Sequence, residues 1–488
     1  MLDPRKERLF RAVVASLESA GHKQCMLHGS NGYSERYEVG KDVDIVSEDP
    51  AQIPLILAEG GVAAVARVGE ESQHTVYTLY QHGRGGGPVF LDLDACADCR
   101  LMGYLFLSGE ELLVDLKPYE YFRVLSPQYE FACYLLKRLF KGLDRARAER
   151  FSELYGEDPA GCQAQLARFF PNPEAAMLAD AARSGDWERA LSQAEHLRKV
   201  VLEGARQRQP LGEARYWLDK IVARAKAHVR PGGLMVAFLG TDGVGKSTVT
   251  SLIERDLAPA FSSTERYHRP VETVLWRMRQ RIKRHPTRSS AVESTGASAP
   301  DADAQAPSSE APPRGLPASI LKLGLWWADY TVLGYLLTIY PRLVRSTLVL
   351  FDRYYDDLLV YPRSYRYGGP LWLARFVRHL IPRPHLVFLL DAPPEVIQAR
   401  KQELTFEQTA YEREAYLNVV RGLPNAHVID ASQPVDAVVN EIEDVILSHM
   451  ADRTATKLER DRRRKSMRRI WLVKQHLMRG NRLRWMRS

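Results

Sequence analysis

Between residues 240 and 247 the chain reads Gly-Thr-Asp-Gly-Val-Gly-Lys-Ser, the GxxxxGKS spacing of a loop that wraps phosphate oxygens. Gly240, Gly243 and Gly245 free the backbone to turn its N–H groups inward, with Asp242 and Val244 between them. Lys246 adds positive charge for β- and γ-phosphates, and Ser247 offers a hydroxyl to Mg²⁺. Thr248 completes the loop's exit into a helical pattern at about 246–257. An apolar run over 234–239 leads into the loop, so the following helix points its positive N-terminal end at the anion. A chance Gly-rich turn has no reason to sit between a strand and a helix in this way.

Two more apolar runs end in groups suited to the same chemistry. Residues 348–351 lead into Asp352 and Arg353, and residues 385–390 lead into Asp391 ahead of Pro393-Pro394-Glu395. Open α/β sheets bind ligands at the carboxyl ends of their strands. There Asp352 suits Mg²⁺ or acceptor activation, and Arg353 suits bidentate contact with a phosphate. For Asp391 a helix N-cap is an equal reading.

A second set of acids lies near the N-terminus. Gly29-Ser30 precede Asp42-Val43-Asp44, and the run 89–94 carries Asp92 and Asp94. Residues two apart in a strand share a face, so Asp42 points with Asp44, and Asp92 with Asp94. Three such acids on neighbouring strands can hold two Mg²⁺ ions and direct an in-line displacement at a nucleotide α-phosphate. Gly29 and Ser30 would let the backbone approach the triphosphate. Exposed acids at strand edges are the plain alternative. His28 reads as a packing residue, and a solvated helix face explains Lys137 and Arg138 as well as phosphate contact does.

The elements that position these groups fall into blocks. The 488 residues suffice for two or three domains. Hydrophobic residues make up 45% and charged residues 26%, an ordinary globular balance that argues against a disordered or fibrous chain. Residues 1–145 alternate helix and strand signals. Residues 146–230 read as a helical connector, and 231–450 as a strand-and-helix domain. Residues 285–316 are rich in Ala, Ser and Pro, bury too little surface to fold, and are expected to be a disordered insertion in that domain. The apolar stretch 323–340 imitates a membrane span, but Asp329 at its middle is costly in lipid, so a buried core helix is expected.

Charge is uneven. The formal net charge is +8, yet residues 451–488 hold fourteen basic and three acidic residues, a net +11 that leaves −3 for the rest. This tail carries Met467, Ile470, Trp471, Leu477 and Met478 near one face of a helix, with arginines around them. Such a segment suits an anionic membrane surface through residues 452–488. Nucleic acid is the weaker alternative partner, and a solvated tail is the plain one. The five cysteines are scattered, which fits a reducing compartment. Cys96 and Cys99 form a lone CxxC, more readily incidental than a zinc site. The MLDPRKERLF start shows no secretory signal pattern. The expected location is cytoplasmic, peripheral at the inner face of the membrane if the tail binds there.

With GTDGVGKST, LWWADY, FDRYYDD, FLLDAPPEVIQARKQE and VIDAS in that order, residues 234–446 resemble thymidylate kinase. The resemblance implies an α/β P-loop kinase domain with a parallel sheet, acting with ATP and Mg²⁺. It makes Lys246, Ser247, Asp352 and Arg353 the active-site core, starts a mobile lid at Arg400, and puts Ala431 and Ser432 near adenine. This chain departs from the family on the acceptor side. His268-Arg269-Pro270 stands where Arg-Glu-Pro is usual, and Ala328-Asp329-Tyr330 stands for Ala-Asp-Arg. Asp356-Asp357 and Val360-Tyr361-Pro362 replace residues that hold thymine, and Arg400-Lys401-Gln402-Glu403 is poorer in arginine than the family's lid. This pattern is similar to that of divergent thymidylate-kinase-like proteins encoded with bacterial surface-polysaccharide genes. The Gly29-Ser30, Asp42-Val43-Asp44 and Asp92/Asp94 set resembles the nucleotidyltransferase superfamily of the DNA polymerase β type, which implies an α+β domain over residues 1–145.

The function expected is phosphoryl transfer from Mg·ATP to a nucleoside monophosphate, nominally dTMP by resemblance. Three other readings stay open: a kinase for a sugar or glycan precursor in surface-polysaccharide synthesis, a nucleotidyltransferase with a regulatory P-loop domain, and a membrane-associated scaffold that only binds nucleotides. The sequence does not specify an oligomeric state.

Overall fold

The computed structural model describes residues 4–27, 42–70, 74–83, 86–267, 312–401 and 405–485. Two compact units emerge: Met1–Lys226 with Leu447–Ser488, and Ala227–Ile446. Gly29, Ser30, His28, the 268–270 triplet, residues 285–311 of the expected insertion, and Gln402-Glu403 of the expected lid lie outside the described residues.

In the first unit the strands are β1 (Gln24–Met26), β2 (Asp42–Ser47), β3 (Ala64–Glu70), β4 (Thr75–Gly83), β5 (Gly86–Cys96), β6 (Cys99–Leu101), β7 (Tyr104–Leu107), β8 (Lys117–Tyr119) and β9 (Phe122–Val124). Seven of them form a mixed sheet in the order β3-β4-β5-β2-β1-β9-β8, while β6 and β7 form a separate ribbon. Alternation along β5 explains its two faces. Val89, Leu91, Leu93 and Ala95 point into one core with Leu9, Phe10, Val13, Val14 and Leu17 of the helix Pro4–Ser19, so Asp92 and Asp94 must point the other way.

The opposite face is covered by helices. Phe131, Leu135 and Leu136 of Pro127–Lys141 join Phe151, Leu166, Leu178, Leu197 and Val201 in a continuous apolar core. Thus the helices between residues 145 and 208 share a core with Cys25 and Val46 of the sheet. All five cysteines carry free thiols, and no metal-binding group of three or more His, Cys, Asp or Glu occurs among the described residues. A long helix, Val435–Trp485, ends the described chain. Thr454 on it is buried and donates its hydroxyl to the Ala66 carbonyl at 3.0 Å.

In the second unit β10 (Leu234–Leu239), β11 (Ser263–Tyr267), β12 (Thr347–Asp352), β13 (Leu386–Asp391) and β14 (Ala426–Asp430) form a parallel sheet in the order β11-β12-β10-β13-β14. Parallel sheets are covered on both faces, and their strands read as unbroken apolar runs. The sequence LMVAFL of β10 is buried at all six positions. This is the α/β fold with a parallel sheet that the motif order implied.

The stretch 323–340 differs from the expected buried core helix. It forms the helix Leu316–Ala328 followed by a wider π-helical segment, Asp329–Ile339. Leu323, Tyr330 and Ile339 face the core, but Leu321, Leu325, Leu336 and Leu337 are exposed. An unbroken apolar sequence hides this asymmetry, because periodicity vanishes when both faces carry apolar residues. No helix among the described residues is long and apolar enough to cross a membrane.

Candidate functional site

The carboxyl edge of the parallel sheet gathers the phosphate-directed groups. Directly after β10 the chain turns through Gly240, Gly243 and Gly245, with φ of 144°, 88° and 104°. These are left-handed values that side chains resist. At Gly240 the restriction is also spatial, since an added Cβ would sit 2.6 Å from the Leu390 carbonyl oxygen on β13. The helix Lys246–Leu257 starts at the end of this turn. Its N-terminal N–H groups have no intrahelical partners, so loop and helix together form an anion cradle.

Lys246 is buried and folds back into its own loop, donating to the carbonyls of Gly240 and Thr241, each at 2.8 Å. Its ammonium lies 3.5 Å from Asp242. Burial lowers the Lys246 pKa, helped by Arg353 and opposed by Asp242. Burial would raise the Asp242 carboxyl, but Lys246 and Arg353 outweigh it and hold the group below the usual range. Ser247 and Thr248 are exposed at the helix start. Asp352 ends β12, in register with Phe238 of β10, and its field acts on Lys246.

Arg353 adopts a left-handed φ of 81°, and its N–H donates to the Phe238 carbonyl at 3.0 Å. The bend aims its guanidinium between two acids: Nη2 donates to Asp242 of the loop, and Nη1 to Asp357 at 3.0 Å. Asp357 is fully buried and also accepts from the hydroxyls of Tyr365, at 2.8 Å, and Tyr416. So Asp356 and Asp357 have separate tasks. Asp357 clamps Arg353, while Asp356 pairs with the buried Arg378 at 2.6 Å.

Arg400 closes the other side, with Nη1 3.4 Å from the Val244 carbonyl. Asp391 does not cap the next helix, whose N-cap is Pro393 without a side-chain bond. Instead Arg413 donates to both its oxygens, at 2.7 and 2.8 Å. A bidentate guanidinium satisfies the carboxylate better than one N–H. Ser432 lies just beyond β14, where its N–H and hydroxyl donate to Asp430 at 2.9 and 2.5 Å. Tyr365, Arg413 and Tyr416 were not singled out from sequence as part of this site. The partners Asp357 and Tyr416 lie 59 positions apart, with no local motif to join them.

In the first unit β2 and β5 run parallel, with Asp42 opposite Asp92 and Asp44 opposite Asp94. The Asp42 side chain lies outside the described residues. Lys137 bonds Asp44 at 2.8 Å, and His74 lies 3.4 Å from Asp94. The first contact gives Lys137 a defined partner where sequence offered a solvated face or a phosphate. Arg138 instead stacks over Tyr134, 5.1 Å from the ring centroid.

Comparison with known proteins bears on the second unit. Residues 331–442 match the family model described as Thymidylate kinase. The chain is 29% identical over 235 residues to a thymidylate kinase of Xanthomonas oryzae pv. oryzae, covering 46% of this chain and 88% of that protein. It is 26% identical over 229 residues to a probable thymidylate kinase of Pyrobaculum calidifontis, covering 45% and 98%. A solved thymidylate kinase from Ehrlichia chaffeensis overlays with a TM-score of 0.30 at 18% identity, covering 44% of this chain and all of that one. The similarity to thymidylate kinases thus lies in the C-terminal half, with the family model matched over residues 331–442.

Proposed function

We propose that the unit Ala227–Ile446 transfers the γ-phosphoryl group of ATP to an acceptor that enters beside Arg353. The observation that carries this reading is the convergence of a left-handed glycine loop, Lys246 and the Asp352-Arg353 strand end on one edge of the sheet. Phosphoryl transfer asks a protein chiefly for positioning and charge neutralisation. The loop N–H groups orient the triphosphate, Lys246 meets its β/γ end, and Arg353 meets the transferred group once it leaves Asp242. Arg400, already at the loop, helps to keep water from the phosphates.

The exposed Ser247 hydroxyl and the Asp352 carboxylate are hard oxygen donors of the kind Mg²⁺ prefers. They would hold that ion, which supplies neutralisation of phosphate charge when bound. By resemblance the nominal acceptor is dTMP, and the altered acceptor side supports a sugar or glycan precursor as the rival. Incubating the full chain with γ-labelled ATP and both acceptor types tests the reading. Label on an acceptor supports it, and absence of ATP binding removes it.

A second reading concerns the first unit and is favoured by the strand register. Asp44, Asp92 and Asp94 lie on the face of adjacent parallel strands opposite the core of the helix Pro4–Ser19; they do not by themselves form a metal-holding group among the described residues, but acids on such neighbouring strands are what a metal-dependent nucleotidyl transfer draws on. Asp44→Asn with Asp94→Asn should then abolish incorporation from α-labelled nucleotide while leaving γ-phosphoryl transfer intact. Equal incorporation by the double variant would remove this reading. The basic tail, for its part, suits an anionic membrane surface at the inner face of a membrane.

A further inference from the structure

The helices Leu316–Ala328 and Leu371–Leu380 cover the same face of the parallel sheet. Leu323 of the first and Ala374 of the second join Met235, Val349 and Phe351 of the strands in one core, so both helices turn their opposite sides away from the sheet. Those outer sides are apolar as well. On the second helix Trp372, Phe376 and Leu380 recur every four residues and are 67%, 56% and 50% exposed. On the first, Leu321 and Leu325 are exposed at the same spacing, and so is Leu336 on the π-helical segment that continues it. The second helix is fastened from within, because its buried Arg378 pairs with Asp356 at 2.6 Å.

Charge around this surface has one sign. Residues 312–385 contain ten Lys or Arg and four acids. Of the acids, Asp329, Asp356 and Asp357 are buried and Asp352 is half-buried. Arg314, Arg363, Arg375 and Arg383 are exposed. At the end of the second helix Arg383 donates to Nδ1 of His379 at 3.5 Å, two basic side chains side by side.

Clustered exposed apolar side chains mark an interaction surface, where scattered ones do not. The charge selects the occupant. A symmetric contact with a second copy sets one patch against itself, so arginines would face arginines and repel. An anionic bilayer satisfies both parts of the surface. Its headgroups attract the arginines, and the layer beneath them takes up Trp, Phe and Leu side chains. We infer that the outer sides of these two helices dock the second unit onto an anionic lipid surface. Helices whose other sides are committed to a protein core lie in the interface plane and do not span. None of these residues belongs to the basic tail, so the inference is independent of that segment and of the phosphotransferase reading.

The test floats the full chain with phosphatidylcholine vesicles, with and without about one-third phosphatidylglycerol. Binding is expected to the anionic vesicles and should weaken as salt is raised. Trp372→Ser with Phe376→Ser, and separately Arg375→Glu with Arg383→Glu, should each weaken it by about tenfold or more. All four side chains lie on the surface, and melting curves establish that both variants are folded. Hydrogen exchange across residues 368–383 should slow when the wild-type chain is bound. Vesicle binding with unchanged exchange there, or equal binding by both double variants, would place the contact elsewhere and overturn the inference. Equal binding to phosphatidylcholine alone, or no binding to anionic vesicles, overturns it too. A dimer in sedimentation equilibrium that Trp372→Ser with Phe376→Ser splits, with no vesicle binding, would assign the face to a second copy instead.

Discussion

Lys246→Met should lower kcat/KM for phosphoryl transfer by about 10²- to 10³-fold, equivalent to roughly 3–4 kcal/mol of transition-state stabilisation. The methionine keeps most of the aliphatic stem and removes only the charge. In the ligand-free chain that charge is buried and held by the Gly240 and Thr241 carbonyls. Burial makes the ammonium costly to keep, so a site that retains it must use it on an anion. Negative charge builds at the bond between the β- and γ-phosphates as transfer proceeds, so most of the loss should fall on kcat and less on ATP affinity. Steady-state kinetics alongside direct ATP titration separates the two. A variant that binds ATP tenfold more weakly yet turns over at the wild-type rate would assign Lys246 to binding alone. A variant equal to wild type in both would remove the loop from the reaction.

How far the site was legible depends on how local its signals are. The phosphate loop was legible because eight consecutive residues contain its mechanism: positive-φ glycines, a lysine and the start of a helix. Asp352 and Arg353 were legible as the polar end of an apolar run, since parallel strands expose their carboxyl ends to ligand. The parallel sheet followed from the same runs. Long-range partners were not legible. Asp357 read as a missing thymine contact, but the fold brings Tyr416, 59 positions away, onto its carboxylate beside Arg353. Asp391 read equally as a helix cap or a group at the ligand edge, and a guanidinium 22 positions on pairs with it instead of a cap. Nothing in a single sequence ranks such competitors, because each pairing depends on helices whose docking is set by the core.

The second large effect expected is on stability, at the buried pair of Asp356 and Arg378. Both residues are almost wholly buried, and Nε of Arg378 donates to Asp356 at 2.6 Å. Replacing one partner leaves the other charge in a low-dielectric interior, which typically costs 3–5 kcal/mol. Arg378→Met should therefore destabilise this unit by about 3–5 kcal/mol in guanidinium unfolding. Asp356→Leu combined with Arg378→Met should regain most of that, since two apolar side chains leave no charge stranded. The function should follow a different course. Asp356 adjoins Asp357, which clamps Arg353, so a variant that loosens this turn should transfer phosphoryl groups more slowly even where it remains folded. If the double variant recovers stability but not rate, the ion pair is retained to aim Arg353, not to hold the fold. If it recovers both, the pair is one packing solution among several. If Arg378→Met alone costs less than about 1 kcal/mol, the range of exposed pairs, water reaches this pair and the interior around Asp357 is wetter than its burial implies.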